Sequence, residues 1–166
     1  MCPGENRRED CLSCGTKWQD VSVRAVPPAV GLDSRTIVVV HPPEGLEDRL
    51  RRTMEPLRKI RGFVSAAVTR RDGLVIHHTF RNAREAAGLS AMAAAMLGAA
   101  RATGAELGKG PPEYGFFRFS DWILVIQDAG PVAILACLME LETNLGFALT
   151  RISHASEEIR ETLENM

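Results

Sequence analysis

The feature that most restricts the fold is an uncharged, alanine-rich stretch at residues 86–100. Asn82 and Glu85 stand before it in the spacing of a capping box, and the pattern predicts a helix over residues 83–107. The stretch is too short to span a bilayer, which takes about 20 apolar residues. A helix that is nearly apolar all round must be buried on more than one side. Packing onto a sheet supplies one cover, and in a chain of 166 residues a second subunit most naturally supplies the other.

Regular elements surround this helix on both sides. Apolar residues spaced by four and three from Leu46 predict a helix that Pro56 ends or kinks. Asp72-Gly73 joins two runs of β-forming residues and predicts a hairpin with a type I′ turn. Further strands are expected at residues 114–119, 122–127 and 132–139, the last buried on both faces because it is continuously apolar. A closing helix is marked by Leu145, Leu149, Ile152, Ile159 and Leu163.

This order, with particular residues at its joints, resembles the roadblock family (the dynein light chain roadblock superfamily). The resemblance is carried by the segments Arg71-Asp72-Gly73-Leu74, Leu89-Ser90-Ala91-Met92-Ala93-Ala94-Ala95-Met96, Gly104-Ala105-Glu106-Leu107-Gly108, Trp122-Ile123-Leu124-Val125, Ala133-Ile134-Leu135-Ala136 and Thr143-Asn144-Leu145-Gly146. It implies an α+β, roadblock/profilin-like fold: a five-stranded antiparallel sheet in the order 2-1-5-4-3 with helices on its faces. It also implies a homodimer that acts as a non-catalytic partner of Ras-like small GTPases.

The chain is predicted to divide into an N-terminal extension, residues 1–45, and a roadblock-like domain, residues 46–166. Pro27-Pro28 and Pro42-Pro43 remove backbone donors from the extension and favour extended conformations. Between these pairs, residues 37–40 form a β-branched run. The run is either an added strand or a linker that docks on the domain.

Three of the four cysteines lie together in the extension, at Cys2, Cys11 and Cys14. Cys11 and Cys14 have the spacing of a metal-binding knuckle, and Cys2 supplies a third thiolate. Zinc takes four nitrogen or sulfur ligands and iron–sulfur clusters accept cysteines at similar spacings, so either is a candidate cofactor. The alternative is a tail whose thiols are unconnected. Cys137 lies in an apolar run and is expected to be a buried, unreactive core thiol.

The charge balance restricts the possible partners. Lys and Arg number 20 and Asp and Glu number 21, which argues against a nucleic-acid binder and against a polybasic membrane-surface protein. The first twenty residues are polar and lack the apolar core of a signal peptide. A cytoplasmic protein with no direct membrane insertion is therefore expected.

No constellation for catalysis is found in the sequence. Gly108-Lys109 lacks both the first glycine and the hydroxyl residue of a phosphate-binding loop, so these residues are expected to end the long helix. His77 and His78 are adjacent in a predicted strand and point to opposite faces, so one is expected to be exposed and the other packed. We therefore expect no enzyme.

A homodimer is expected to form through the long helix and the strand at residues 114–119. Small and adaptable side chains on the helix, together with the aromatic residues of the strand, form this predicted interface. Its residues are Gly88, Ala91, Met92, Ala95, Met96, Ala99, Tyr114, Phe116, Phe117 and Phe119.

Arg49, Arg51 and Arg52 are a candidate partner surface, although a solvated helix face is the simpler interpretation. The expected function is a dimeric regulatory scaffold that binds a Ras-like small GTPase and modulates its GTP hydrolysis or nucleotide state. The alternative is a structural adaptor that assembles a larger complex without a GTPase.

Overall fold

The structure is a computed structural model, and it describes residues 45–165. This part of the chain contains three helices and five strands. In chain order they are α1 (Leu46–Arg58), β1 (Phe63–Arg70), β2 (Val75–His78), α2 (Ala83–Glu106), β3 (Tyr114–Arg118), β4 (Trp122–Ala129), β5 (Ala133–Glu140) and α3 (Leu145–Glu164). The strands form one antiparallel sheet in the order β2-β1-β5-β4-β3, which confirms the order that the resemblance implies.

The continuously apolar strand β5 lies at the centre of the sheet, as predicted. It pairs with β1 on one side and β4 on the other, so that Cys137 stands between Ala66 and Val125. The side chains of residues 133–137 are all buried. Both edges of the sheet are short strands, β2 and β3.

The helices cover the two faces of the sheet unequally. α1 and α3 pack together on one face, where they bury a large apolar cluster that includes Leu50, Leu135 and Ile152. α2 alone covers the other face, where the buried cluster is smaller and is centred on Leu97 and Ile126. Alternating residues of β4 and β5 enter the two clusters, because successive side chains of a strand point to opposite faces. The domain is therefore three layers deep.

α1 buries the four apolar residues that the spacing singled out, Leu46, Leu50, Met54 and Leu57. The expectation was an end or a kink at Pro56, and the end is wrong, because the helix continues to Arg58. Pro56 lies in the last turn, where its missing N–H costs one helical hydrogen bond. The complete burial of Leu57 holds that turn in place.

The β1–β2 connection differs from the predicted type I′ turn. The Gly73 N–H donates to the Arg70 carbonyl at 2.9 Å, and the Arg70 N–H donates to the Leu74 carbonyl at 2.8 Å. Three residues therefore separate the hydrogen-bonded pair, with Gly73 in the left-handed region at a φ of 89°. A β-carbon at position 73 would also lie 3.1 Å from the Cα of Ala91, so the turn needs glycine for two reasons. The hairpin thus approaches α2 closely at Gly73.

The ends of α2 follow the sequence signals. The Asn82 side chain caps the helix by accepting the Arg84 N–H at 2.9 Å. At the other end Gly108 has a φ of 62°, and the Lys109 N–H bonds to the Gly104 carbonyl at 2.8 Å. Gly108 and Lys109 therefore form a helix terminus, as predicted. None of the helices between residues 45 and 165 is both long enough and apolar enough to cross a membrane.

Candidate protein-interaction surface

The helix α2 has two apolar faces, only one of which the sheet covers. The covered face carries Ala86, Leu89, Ser90, Ala93 and Leu97. On the opposite side lie Gly88, Met92, Ala95 and Ala99, which we call the α2 stripe. Their spacings of four, three and four residues place them on one line along the helix. All four are exposed, and Met92 is 55% exposed. The α2 stripe is therefore an apolar surface that the described part of the chain leaves open to solvent.

Polar contacts fix the rotation of α2 and so keep the stripe outward. The hydroxyl groups of Thr69 and Ser90, both fully buried, form a hydrogen bond of 2.7 Å between β1 and the covered face of the helix. Near the other end of α2, Arg101 bonds to the Asp128 carboxylate at 3.1 Å. A buried polar pair is costly to break, because each hydroxyl would lose its partner without gaining water.

Asp128 is the centre of a polar cluster that joins three elements. Its carboxylate accepts two bonds from Arg71, at 2.8 and 2.9 Å, as well as the bond from Arg101. It also accepts the Gly130 N–H at 3.0 Å, and the Arg71 Nε donates to the Pro131 carbonyl at 2.8 Å. The cluster connects the β1–β2 turn, the β4–β5 turn and α2. Through Arg101, the cluster ties α2 to the two turns.

The edge strand β3 exposes aromatic side chains along the free edge of the sheet. Tyr114 and Phe116 are 49% and 41% exposed on the sheet face opposite α2, since Phe116 stands beside Val125 of the α1/α3 cluster. Phe119, just after the strand, is 40% exposed and stacks on Trp122 with 4.0 Å between ring centroids. Within residues 45–165 β3 pairs with β4 alone, so its outer edge offers unpaired backbone groups.

Comparison with known proteins identifies the domain that carries this surface. Residues 50–139 match the Roadblock/LC7 domain family. The uncharacterized protein MJ1340 of Methanocaldococcus jannaschii is 33% identical over 109 residues, which are 66% of this chain and 95% of that protein. The chain belongs to the Roadblock/LC7 family. A second protein of that organism, MJ0310, is 32% identical over the same shares of the two chains.

Solved structures share the same roadblock fold. MglB of Myxococcus xanthus covers 76% of this chain with a TM-score of 0.68 at 18% identity, and 95% of that chain is covered. The gliding protein MglB of Thermus thermophilus has a TM-score of 0.69 at 19% identity, with 76% and 97% of the two chains covered. A Roadblock/LC7 domain from Streptomyces avermitilis has a TM-score of 0.63 at 20% identity, with 72% and 95% covered. These likenesses establish the fold.

The structure divides the predicted interface residues of this roadblock domain into two groups. The α2 stripe, Tyr114, Phe116 and Phe119 are exposed. Ala91, Met96 and Phe117 are half-buried: Ala91 lies against Gly73 of the hairpin, and Met96 and Phe117 pack against the α2-side cluster. The small size of Ala91 thus has an explanation within the chain. The assignment of the other residues to a dimer interface stays a prediction.

The predicted arginine surface lies on the opposite face of the sheet from α2, since α1 carries it. Arg49, Arg51 and Arg52 are all exposed. Arg51 pairs with Asp48 at 2.6 Å, and the Arg52 Nε donates to the Asp48 carbonyl at 3.2 Å. One protomer therefore presents the arginines and the α2 stripe on separate surfaces.

The histidine prediction is wrong, because His77 and His78 are both half-buried. They belong to an edge strand that α1 covers on one side and α2 on the other, so neither face is open. Burial lowers the pKa of the His77 imidazole below its ordinary value of 6.5, Glu47 opposes this shift, and His78 and Arg51 add to it.

One cysteine lies within the described residues 45–165, and the other three lie outside them. Cys137 is fully buried, and burial raises the pKa of its thiol well above the ordinary value, as expected for a core cysteine. Cys2, Cys11 and Cys14 lie outside residues 45–165, so their metal site stays a prediction. Among the described residues no group of three His, Cys, Asp or Glu side chains is arranged to hold a metal ion.

The Asp128 cluster is not evident from the sequence. The sequence indicates only a turn at Asp128, Ala129, Gly130 and Pro131. Arg71 stands out there only as a neighbour of the predicted hairpin. One signal is present, since Asp128 is the sole acidic residue in the apolar segment 122–139. Its partners, however, are 27 and 57 positions away along the chain and are identified only by the fold.

Proposed function

We propose that this roadblock domain is a homodimeric regulatory scaffold that binds a Ras-like small GTPase and modulates its GTP hydrolysis or nucleotide state. The observation that carries the proposal is the α2 stripe, because an apolar helix face held outward by polar contacts is typical of a protein-binding surface. The class of partner is proposed from the roadblock resemblance, which family membership supports. The roadblock family is generally regulatory and brings no catalytic motif of its own.

The dimer is proposed to form through the α2 stripe and the outer edge of β3. Two-fold symmetry lets the unpaired backbone groups of one edge bond to the same edge of a second copy. The exposed side chains of Tyr114 and Phe116 add apolar area there, and α2 packs beside β3 on its own chain. A partner subunit would thus cover the second side of α2. One MglB structure is described as a tetrameric arrangement, which is a property of that protein.

The α1 arginines remain accessible in such a dimer, because α1 packs against β1 and β2, at the far side of the sheet from β3. The exposed guanidinium of Arg52 could act on a partner's phosphates. Ordering of the partner's own switch loops explains regulation equally well and requires no inserted arginine. We favour the second mechanism, because the exposed pairing of Arg51 with Asp48 is typical of a solvated helix face.

The test is single-turnover GTP hydrolysis by a Ras-like GTPase that co-purifies with the full chain, measured with and without it. Binding to the GDP-loaded and GTP-loaded forms is measured in parallel. We expect a changed hydrolysis rate or unequal affinity for the two states, with both retained in Arg52→Ala. Equal binding and an unchanged rate would leave the structural adaptor. A large loss of rate in Arg52→Ala with binding intact would contradict the non-catalytic mechanism.

A further inference from the structure

The outer edge of β3 presents a definite set of backbone groups. The Phe119 N–H donates to the Trp122 carbonyl at 2.9 Å, and the Glu113 carbonyl accepts the Asp128 N–H at 3.0 Å, so residues 113 and 119 both face β4. Successive residues of an antiparallel strand direct their backbone groups alternately to the two sides. The residues whose N–H and carbonyl groups point away from β4 are therefore Tyr114, Phe116 and Arg118.

The side chains of these three outward residues lie on one face of the sheet. Phe116 stands opposite Val125, which belongs to the cluster under α1 and α3, and residues two apart along a strand point to the same face. All three side chains are exposed, whereas Gly115 and Phe117 between them are half-buried. Along the edge the exposed pattern is thus aromatic, aromatic, arginine.

Only a few registers allow this edge to pair with the same edge of a second copy. Two-fold symmetry requires that outward residues of one copy meet outward residues of the other. With Phe116 on the two-fold axis, every outward residue finds a partner. A shift of two residues one way places Arg118 opposite Pro112 of the partner subunit, which has no N–H. The same shift the other way places Tyr114 opposite Ser120 of the partner subunit, beyond the end of the strand.

The chemistry of the side chains favours the same register. On the axis Phe116 lies beside Phe116 of the partner subunit, and aromatic cross-strand pairs are stabilising. On each side of the axis Tyr114 lies beside Arg118 of the partner subunit, where the guanidinium is attracted to the ring face. A register centred on Arg118 would instead bring two like charges together, which is destabilising.

We propose that the two copies of the dimer pair their β3 strands in the register that places Phe116 on the two-fold axis. The register rests on the dimer proposed above and names the residues that select a second copy as the partner. The pattern aromatic, aromatic, arginine complements itself when the strand direction is reversed, so the same chain satisfies both the backbone and the side chains of this edge. Both copies then contribute to one exposed aromatic patch on the face opposite α2.

Disulfide trapping of the full chain tests the register. All variants are made in a chain in which serine replaces Cys2, Cys11 and Cys14. Phe116→Cys should then form a covalent dimer of twice the mass on mild oxidation, because a hydrogen-bonded pair holds the two Cα atoms about 5.5 Å apart, within disulfide range. In either shifted register the two copies of residue 116 are diagonal neighbours about 7–8 Å apart, too far to bridge. Val132→Cys is the control of similar exposure outside β3 and should form no covalent dimer.

Co-expressed pairs of variants measure the register independently. Tyr114→Cys together with Arg118→Cys should give a mixed covalent dimer, whereas neither variant should form one with itself. Phe116→Cys that fails to bridge to itself, but bridges to Tyr114→Cys or to Arg118→Cys, would overturn the proposed register in favour of a shifted one.

The wild type provides a measurement without substitution. Gly115 and Phe117 of the partner subunit form a closely spaced pair in the proposed register, so an Overhauser contact between their Hα protons is expected in a mixture of labelled and unlabelled chains. Sedimentation equilibrium on the same sample separates the register from the dimer. A dimer that lacks this contact would overturn the register and leave the proposed function standing, whereas a monomer would overturn both.

Discussion

The two helical layers of this domain cover the sheet in different ways. α1 and α3 share one face, and together they bury a continuous core while their outer sides carry charged residues such as Asp48, Arg51 and Glu158. α2 covers the other face alone, and its outer side is as free of charge as its inner side over residues 86–100. The first layer is complete within one chain. The second layer is not: α2 has the composition of a buried helix, but its outer side is exposed like that of a surface helix.

The difference marks the α2 stripe as the surface on which a partner is expected. An apolar helix face stabilises the fold only where it is covered, so the α2 stripe contributes nothing within the chain. Exposed apolar surfaces are often sites where proteins associate, so we expect a partner to cover the stripe. Polar contacts at Ser90 and Arg101 prevent α2 from rolling to bury the stripe. The comparison therefore predicts that substitutions in the α1/α3 layer affect stability, whereas substitutions in the stripe affect association.

The largest effect is expected from Leu50→Ala. Leu50 of α1 is completely buried in the cluster between the helices α1 and α3 and the sheet, and its truncation leaves a cavity there. The free energy of unfolding should fall by about 3 kcal/mol, as for buried leucines in general. Leu107→Ala, at a residue 65% exposed after α2, should change it by less than about 0.5 kcal/mol. Denaturant unfolding at one protein concentration measures the change in the free energy of unfolding for both variants. Equal losses of this free energy would show that the α1/α3 layer is not the stabilising one.

Ala95→Arg should act on association. It places a charge in the middle of the α2 stripe, and burying that charge unpaired in an interface costs several kcal/mol. Sedimentation equilibrium should find the wild type as a dimer and the variant as a folded monomer, with half the mass. Thr150→Arg introduces the same charge on the exposed side of α3 and should leave the dimer intact. A dimeric Ala95→Arg protein would place the interface elsewhere.

The sequence predicted the elements well because their signals are local. The bounds of β1 and the cap at Asn82 follow from neighbouring residues, and the apolar run of β5 implies burial on both faces. The turn at Gly73 and the half-burial of His77 depend on α2 and α1, which lie far away along the chain. The separation of the arginines from the α2 stripe likewise follows from which face of the sheet each helix covers. Strand order was available only through the family resemblance, because periodicity does not determine which strands pair.

Asp128→Asn should loosen the attachment of α2 to the sheet. The substitution removes the charge from a carboxylate that accepts bonds from Arg71 and Arg101 and is only 19% exposed. The expected loss is about 1–3 kcal/mol in the free energy of unfolding, because charged hydrogen bonds in partly buried positions are stronger than exposed ones. Asp48→Asn removes an exposed ion pair of α1 and should cost at most about 1 kcal/mol. Equal costs, measured by denaturant unfolding, would argue against the positioning role of Asp128.

A smaller effect is expected from the protonation of His77. Its pKa is lowered in the folded protein, so the unfolded chain binds the proton more readily and stability declines as the pH falls below about 6.5. His77→Gln should remove part of this decline between pH 7.5 and 5.5. His154→Gln, on the exposed side of α3, is the matched control and should leave the decline as it is in the wild type. Thermal unfolding across this pH range measures the difference, and identical curves for wild type and His77→Gln would contradict the prediction.

The most direct test of the central claim, that the layer formed by α2 is the one completed by a second copy, is hydrogen exchange read by mass spectrometry. The wild type and Ala95→Arg are compared under identical conditions. We predict that peptides from α2 and β3 exchange more slowly in the wild type, whereas peptides from α1 and α3 exchange at the same rate in both proteins. Protection confined to α1 and α3, or no difference at α2, would contradict the claim.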